Sequence, residues 1–219
     1  MTLIRAVVFD MDGIMFNTED LFHLTGHELM RRRGKVATPE LFHAMMGRRA
    51  HDAFTAMINM MQLTETIPEL QEESEAIFDD LLSKHLDTMP GLHELLDTIE
   101  QQNIPKGVAT SSDRRYLERL LNQFDLLPRF DMTLTAEDVT QGKPHPEIYL
   151  TAASRLGVDP HEMLVLEDSE NGTKAAAAAG AHIVSVPHDH SRHHDFSVAK
   201  AVVPQLNHDY VMNLLSQKS

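Results

Sequence analysis

Arg5-Ala6-Val7-Val8-Phe9-Asp10-Met11-Asp12-Gly13 decides how this chain is read. The apolar run, rich in β-branched residues, predicts a short buried strand. It ends in two carboxylates one residue apart, followed by glycine. In an open parallel sheet ligands bind at the carboxyl ends of the strands, so Asp10 and Asp12 arrive where chemistry is usually done. Residues i and i+2 of a strand face one side, and two close carboxylates repel unless a cation or a proton compensates. Asp and Gly also form turns, and on this stretch alone a solvated turn is an equal reading.

Further signals lie at the ends of later strand-like runs. Ile104 to Ala109 runs into Thr110-Ser111-Ser112-Asp113, and Met163-Leu164-Val165-Leu166 runs into Glu167-Asp168-Ser169. Between them, Gly142-Lys143-Pro144-His145-Pro146-Glu147 sets a lysine ahead of an expected helix. Acid pair, hydroxyl, lysine and second acid pair therefore follow one another on successive α/β units. From Pro90 onward the pattern predicts helix 91–102, strand 105–109, helix 114–124, strand 132–134 and helix 146–156, then strand 163–166, helix 172–179 and strand 182–186. That alternation predicts a parallel sheet covered on both faces. The Ala175–Ala179 run removes bulk so its helix can lie close to the sheet, and Gly180 suits the helix stop.

Between the first strand and Pro90 the period is helical, with expected helices at 19–33, 39–46, 50–61 and 68–86 and no strand-like run. In the third, Ala50, Ala53, Phe54, Met57, Ile58 and Met61 form an apolar stripe. Thr66 is a candidate cap for the fourth, with Pro68 in its first turn. A compact helical unit inserted into the α/β core is expected. The five methionines from Met45 to Met61 suit either an adaptable binding surface or a core, and their helical spacing favours core. His188, His190, His193 and His194, mixed with Asp189 and Asp195, lack regular ligand spacing and read as a polar surface loop without catalysis.

Composition is that of a globular protein, and 219 residues suit one core plus a smaller unit. A net charge of −14 argues against nucleic acid or an anionic membrane as partner. It does not forbid an anionic phosphate, because screening confines surface charge effects to roughly 8 Å and local cations decide. The absence of cysteine excludes disulfides and thiol catalysis. The start lacks a signal-like pattern and no apolar run is long enough to span a bilayer, so a cytoplasmic protein is expected.

These stretches resemble the haloacid dehalogenase-like hydrolase superfamily, and within it the β-phosphoglucomutase and sugar-phosphatase branch. Asp10-Met11-Asp12-Gly13 is similar to its first motif and Ala109-Thr110-Ser111-Ser112 to its second. Gly142-Lys143-Pro144-His145-Pro146-Glu147-Ile148-Tyr149 is similar to the third, and Leu166-Glu167-Asp168-Ser169 to the fourth. The resemblance covers nearly the whole chain and weakens between about Phe22 and His85. It implies an α/β fold: a Rossmann-like doubly wound parallel sheet of residues 1–16 and 87–219, with an inserted all-α cap of residues 17–86.

The resemblance also implies roles. Asp10 is the expected nucleophile, giving an aspartyl phosphate, and Asp12 the expected acid and then base. Thr110 is expected to bind the phosphoryl group and Lys143 to neutralise it. Mg²⁺ is the expected ion, held by Asp10, the Asp12 carbonyl and Asp168, with Glu167 acting through a water. Thr18, Glu19, Arg48, Ser111 and Ser112 are the expected substrate contacts. Asn17 stands where relatives usually have aspartate, and Phe22 where they often have histidine, His23 being a 100° turn away on a helix. The second aspartate favours phosphoryl transfer over dehalogenation. A phosphatase of a small sugar or polyol phosphate leads. A phosphomutase, a phosphoglycolate-type phosphatase and a non-catalytic phospho-ligand binder are the alternatives, the last opposed by the intact motifs. The expected partner is a small phosphorylated metabolite and the expected state a monomer.

Overall fold

The computed structural model describes residues 3–45 and 50–216. The chain divides into two compact units, one of the residues up to Phe16 and from Thr88 onward, the other Asn17–Asp87.

The first unit is built on a six-stranded, all-parallel sheet. Its strands are β1 (Ala6–Phe9), β2 (Lys106–Ala109), β3 (Met132–Leu134), β4 (Met163–Glu167), β5 (His182–Ser185) and β6 (Ala201–Val202), in the order β3-β2-β1-β4-β5-β6. Every residue of β1, β2 and β4 is buried, which is why β1 and β4 read as apolar runs, while β2 buries Lys106 and Gly107 as well. The chain winds outward from β1 to β3, then restarts at β4 on the other side of β1. The switch in direction opens a crevice at the carboxyl ends of β1 and β4, where ligands of such sheets bind.

Five helices of this unit are α5 (Leu92–Gln101), α6 (Arg114–Gln123), α7 (Glu147–Leu156), α8 (Glu170–Ala178) and α9 (Asp209–Leu215). On one side of the sheet, Ile148, Tyr149, Ala152 and Ala153 of α7 and Ala175 and Ala176 of α8 join Val8, Val165 and Ile183 in one core. α8 starts two residues earlier than the expected residue 172, because Ser169 caps it by accepting from the Gly172 N–H at 3.0 Å. Gly180, at φ +84°, ends it in the left-handed conformation. β6 and α9 have no counterpart in the sequence reading: β6 is two residues long, with a half-buried and an exposed residue.

The second unit holds α1 (Thr18–Arg31), α2 (Pro39–Met45), α3 (Ala50–Met61) and α4 (Ile67–His85). Leu29, Met30, Leu41, Met57, Leu70 and Ile77 make its core. α4 begins at Ile67, with Thr66 as N-cap and its N–H donating to Glu69 at 2.8 Å. Of the methionines, Met57 is buried and Met45 and Met61 pack at the core edge, but Met60 is exposed. Met46 lies outside the described residues. Arg33 reaches from the end of α1 to Glu65 and Glu73, each at 2.6 Å. Phe22 stacks on Phe78 at 4.4 Å between ring centres, and His23 packs on Phe42 at 4.1 Å.

The two crossings of the chain are tied within each unit. Phe16 is bridged to Thr88. Asn17 accepts from the Asp87 N–H at 2.9 Å through Oδ1 and donates through Nδ2 to the His85 carbonyl at 3.2 Å. Its own N–H donates to the Asp87 carbonyl at 3.1 Å. Asp87 therefore goes with the helical unit, one residue beyond the expected boundary. An aspartate could not make the bond to the His85 carbonyl, which gives Asn17 a structural reason. No helix among the described residues is long and apolar enough to cross a membrane.

Candidate active site

Asp10 follows directly from β1, and its N–H donates to the Leu166 carbonyl of β4 at 3.0 Å. That bond places its carboxylate at the switch point. The chain then turns sharply: Met15 N–H donates to the Met11 carbonyl at 2.9 Å and Gly13 N–H to the Phe16 carbonyl at 3.0 Å. Gly13 sits at φ +72°, and a β-carbon there would lie 2.6 Å from Asp168 Oδ2 and 2.8 Å from His188 Nε2. Both the backbone angle and the space require glycine.

Asp12 is held at the mouth of the turn. Ser112 Oγ donates to its Oδ2 at 2.8 Å, and Tyr116 of α6 approaches its Oδ1 at 3.4 Å. Thr110, buried at the end of β2, lies 3.5 Å from Oδ2 and accepts from the Ser112 N–H at 3.0 Å. Ser112, expected as a substrate contact, here serves Asp12. Ser111 is exposed.

Lys143 enters from the loop before α7 and is buried. Its Nζ donates to Asp10 Oδ1 at 2.5 Å, Glu167 Oε1 at 2.6 Å and the Ala109 carbonyl at 3.1 Å. An ammonium has three protons, and these partners account for all of them. Glu167, wholly buried at the end of β4, also accepts from the Tyr149 hydroxyl at 2.7 Å. Its second oxygen accepts from Ser169 Oγ at 2.9 Å and from the N–H groups of Asp168 and Ser169, each at 3.2 Å. Protein donors reach both oxygens of Glu167, and through Oε1 it anchors Lys143.

Two buried carboxylates thus share one ammonium, and a third, Asp168, feels its charge without a hydrogen bond to it. Burial pushes the Asp10 carboxyl well above its ordinary range, against the pull of Lys143. Asp168 is raised likewise, by burial and then by Glu167. For Glu167 burial acts upward too, but Lys143 and the hydrogen bonds from Tyr149 and Ser169 outweigh it and hold the group low. Burial disfavours the Lys143 charge, yet Asp10 and Glu167 more than restore it. The cluster is short of positive charge. Asp10, Glu167 and Asp168 each offer a ligand atom within 4.8 Å of the others. Hard oxygen donors in negative excess fit a small divalent cation.

Thr18 is buried at the start of α1 and Glu19 is half-buried in its first turn, both in the helical unit. Arg48 lies outside the described residues. The structure adds Tyr116, Tyr149, Ser169 and His188, to which the sequence reading gave no role. His188 departs most from expectation. Its side chain is 13% exposed and its Nε2 lies 2.8 Å from Asp168 Oδ2.

Comparison with known proteins agrees with this geometry. A family model described as haloacid dehalogenase-like hydrolase matches residues 7–186. A phosphorylated carbohydrates phosphatase of Thermotoga maritima is 32% identical over 180 residues, covering 80% of this chain and 82% of its own. Hexitol phosphatase B of Escherichia coli is 31% identical, covering 84% of each. A solved Thermotoga maritima structure, provisionally assigned as a β-phosphoglucomutase, superposes with a TM-score of 0.81 at 29% identity, covering 97% of this chain and 98% of that one.

Proposed function

The chain belongs to the haloacid dehalogenase-like hydrolase family and hydrolyses phosphate monoesters, and on that premise we propose a Mg²⁺-dependent phosphatase of a small sugar or polyol phosphate, working through an aspartyl phosphate. The observation that carries this reading is Lys143 Nζ clamped between Asp10 and Glu167, beside a second acid, Asp12, that is tethered by hydroxyls.

Asp10 must be ionised to attack phosphorus, and its burial opposes that. Lys143 offsets the burial at contact distance, and a cation, which Asp10, Asp168 and the Asp12 carbonyl would hold, would offset it further. When bound, Mg²⁺ supplies charge neutralisation for the phosphoryl oxygens. In the first step an Asp10 oxygen bonds to phosphorus as the ester oxygen leaves, taking the proton of Asp12. In the second, water attacks the same phosphorus and gives its proton to Asp12, and the Asp10 carboxylate is regenerated. The sum is ester plus water to alcohol plus phosphate, with Asp12 returned protonated. Ser112 and Tyr116 hold the Asp12 carboxylate in place, and Thr110 offers its hydroxyl to the phosphoryl group. Glu167 keeps Lys143 in place. The inserted helical unit takes part in substrate choice, since the resemblance is weakest there and the relatives named above act on different phosphorylated compounds.

The test is phosphate release across a panel of hexose, pentose and hexitol phosphates, with and without trace bisphosphate. Activity should vanish on exhaustive chelation and return with Mg²⁺, and Asp10→Asn should be inactive but folded. Full activity after chelation, or in Asp10→Asn, refutes the reading. Isomerised sugar phosphate formed only with bisphosphate replaces it with a mutase.

A further inference from the structure

We propose that His188 is a positioning residue that fixes the Asp168 carboxylate for the divalent cation, an inference that rests on the metal reading above. His188 follows β5 by three residues, in a loop the sequence marks only as histidine-rich. Its backbone is pinned: its N–H donates to Ser191 Oγ at 3.2 Å, and its carbonyl accepts from the N–H groups of Ser191 and Arg192, each at 3.1 Å. Ser191 is itself buried.

The imidazole is constrained at both nitrogens. Nδ1 accepts from the His190 N–H at 3.2 Å, so it carries a lone pair and no proton. The proton therefore sits on Nε2, which donates to Asp168 Oδ2 at 2.8 Å. Gly13 closes the space beneath, since even a β-carbon there would overlap both Asp168 Oδ2 and His188 Nε2. One Asp168 oxygen is thereby committed to a neutral donor, and the carboxylate is locked in a single orientation with its other oxygen left to a cation. A neutral imidazole suits this place better than lysine, because it orients the acid without adding a charge that repels the ion. Hydrogen-bond partners of ligating groups typically contribute roughly 10- to 100-fold in metal affinity.

The experiment compares two nearly isosteric variants, His188→Gln, whose amide can place a donor near Nε2, and His188→Met, which has none. Mg²⁺ is titrated into metal-free protein by calorimetry, with the metal-free melting temperature as the control for folding. His188→Met should bind Mg²⁺ about 10- to 100-fold more weakly at an unchanged metal-free melting temperature. His188→Gln should recover most of the loss. Wild-type affinity in His188→Met, or equal weakness in both variants, overturns the proposal while leaving the metal reading intact. A wild type that binds no Mg²⁺ overturns both.

Discussion

Gly172→Ala tests the packing of the site where two well-understood effects oppose each other. Gly172 is the third residue of α8, and by helix propensity alone alanine there stabilises by about 1 kcal/mol. The structure argues the other sign. The added β-carbon would lie 1.7 Å from Glu167 Oε1, 1.9 Å from its Cδ and 2.2 Å from Oε2. Ordinary contact needs a retreat of roughly 1.5–2 Å. The carboxylate has nowhere to go, because Lys143, Tyr149 and Ser169 hold it from both sides. Overpacking costs about 1–3 kcal/mol, and losing one charge-assisted hydrogen bond about 1.5–3 kcal/mol more. After subtracting the propensity gain, the net loss is roughly 2–5 kcal/mol. For a chain of this length the melting temperature should fall by about 4–20 °C. Phosphate release should fall with it, since Lys143 loses its anchor. Thermal unfolding followed by circular dichroism on metal-free protein measures the first effect. Gly142→Ala, whose β-carbon meets nothing within 4 Å, is the control. A Gly172→Ala melting temperature at or above wild type would refute the reasoning.

Two further predictions concern charge. Hydrogen bonds from Arg129 to Glu100, both at 2.8 Å, hold its carboxyl down from 4.5 to about 2, with Lys106 adding to the pull. A depressed acid contributes stability above its unfolded value and loses it as pH falls through the folded one, so this part of the acid loss lies between about 4.5 and about 2. Glu100→Gln should therefore be less stable than wild type at neutral pH and have a flatter melting-temperature profile below pH 4.5; parallel profiles would remove the pair from acid stability. Arg48→Ala should lower kcat/KM on the preferred sugar phosphate about 10- to 100-fold relative to p-nitrophenyl phosphate, as expected for one lost charge-assisted hydrogen bond. Equal losses on both substrates would exclude a role in substrate choice.

What the sequence could reveal depended on whether a residue's environment is set locally. β1 and β4 are buried on both faces, so their apolar runs announce strands, and the residues that end β1, β2 and β4 announce the sheet edge that gathers Asp10, Thr110 and Glu167. α8 was misplaced at its start because the apolar pattern shows only the packed stretch, whereas Ser169 sets the boundary by a hydroxyl bond. Tyr149 packs its ring in the core and reads as a core aromatic; its hydroxyl meets Glu167 only once α7 is packed against the sheet. Glu167 has the residue type of a metal ligand, and only the fold reveals how many protein donors reach it. His188 had no legible signal, since its contact with Asp168 depends on the path of a loop with no periodic pattern.

The paired crossings at Phe16–Thr88 and Asn17–Asp87 have a consequence for how such a protein changes over generations. The chain leaves and re-enters the sheet unit through one doorway, whose jambs are fastened to each other on each side. Lengthening the excursion between them adds little closure entropy, because that cost grows only logarithmically with length. Insertions, deletions or wholesale exchange of the helices therefore leave the register of β1 on β2 untouched. Recombination can rewrite the stretch that encodes the helical unit while the stretches that encode the sheet stay as they are.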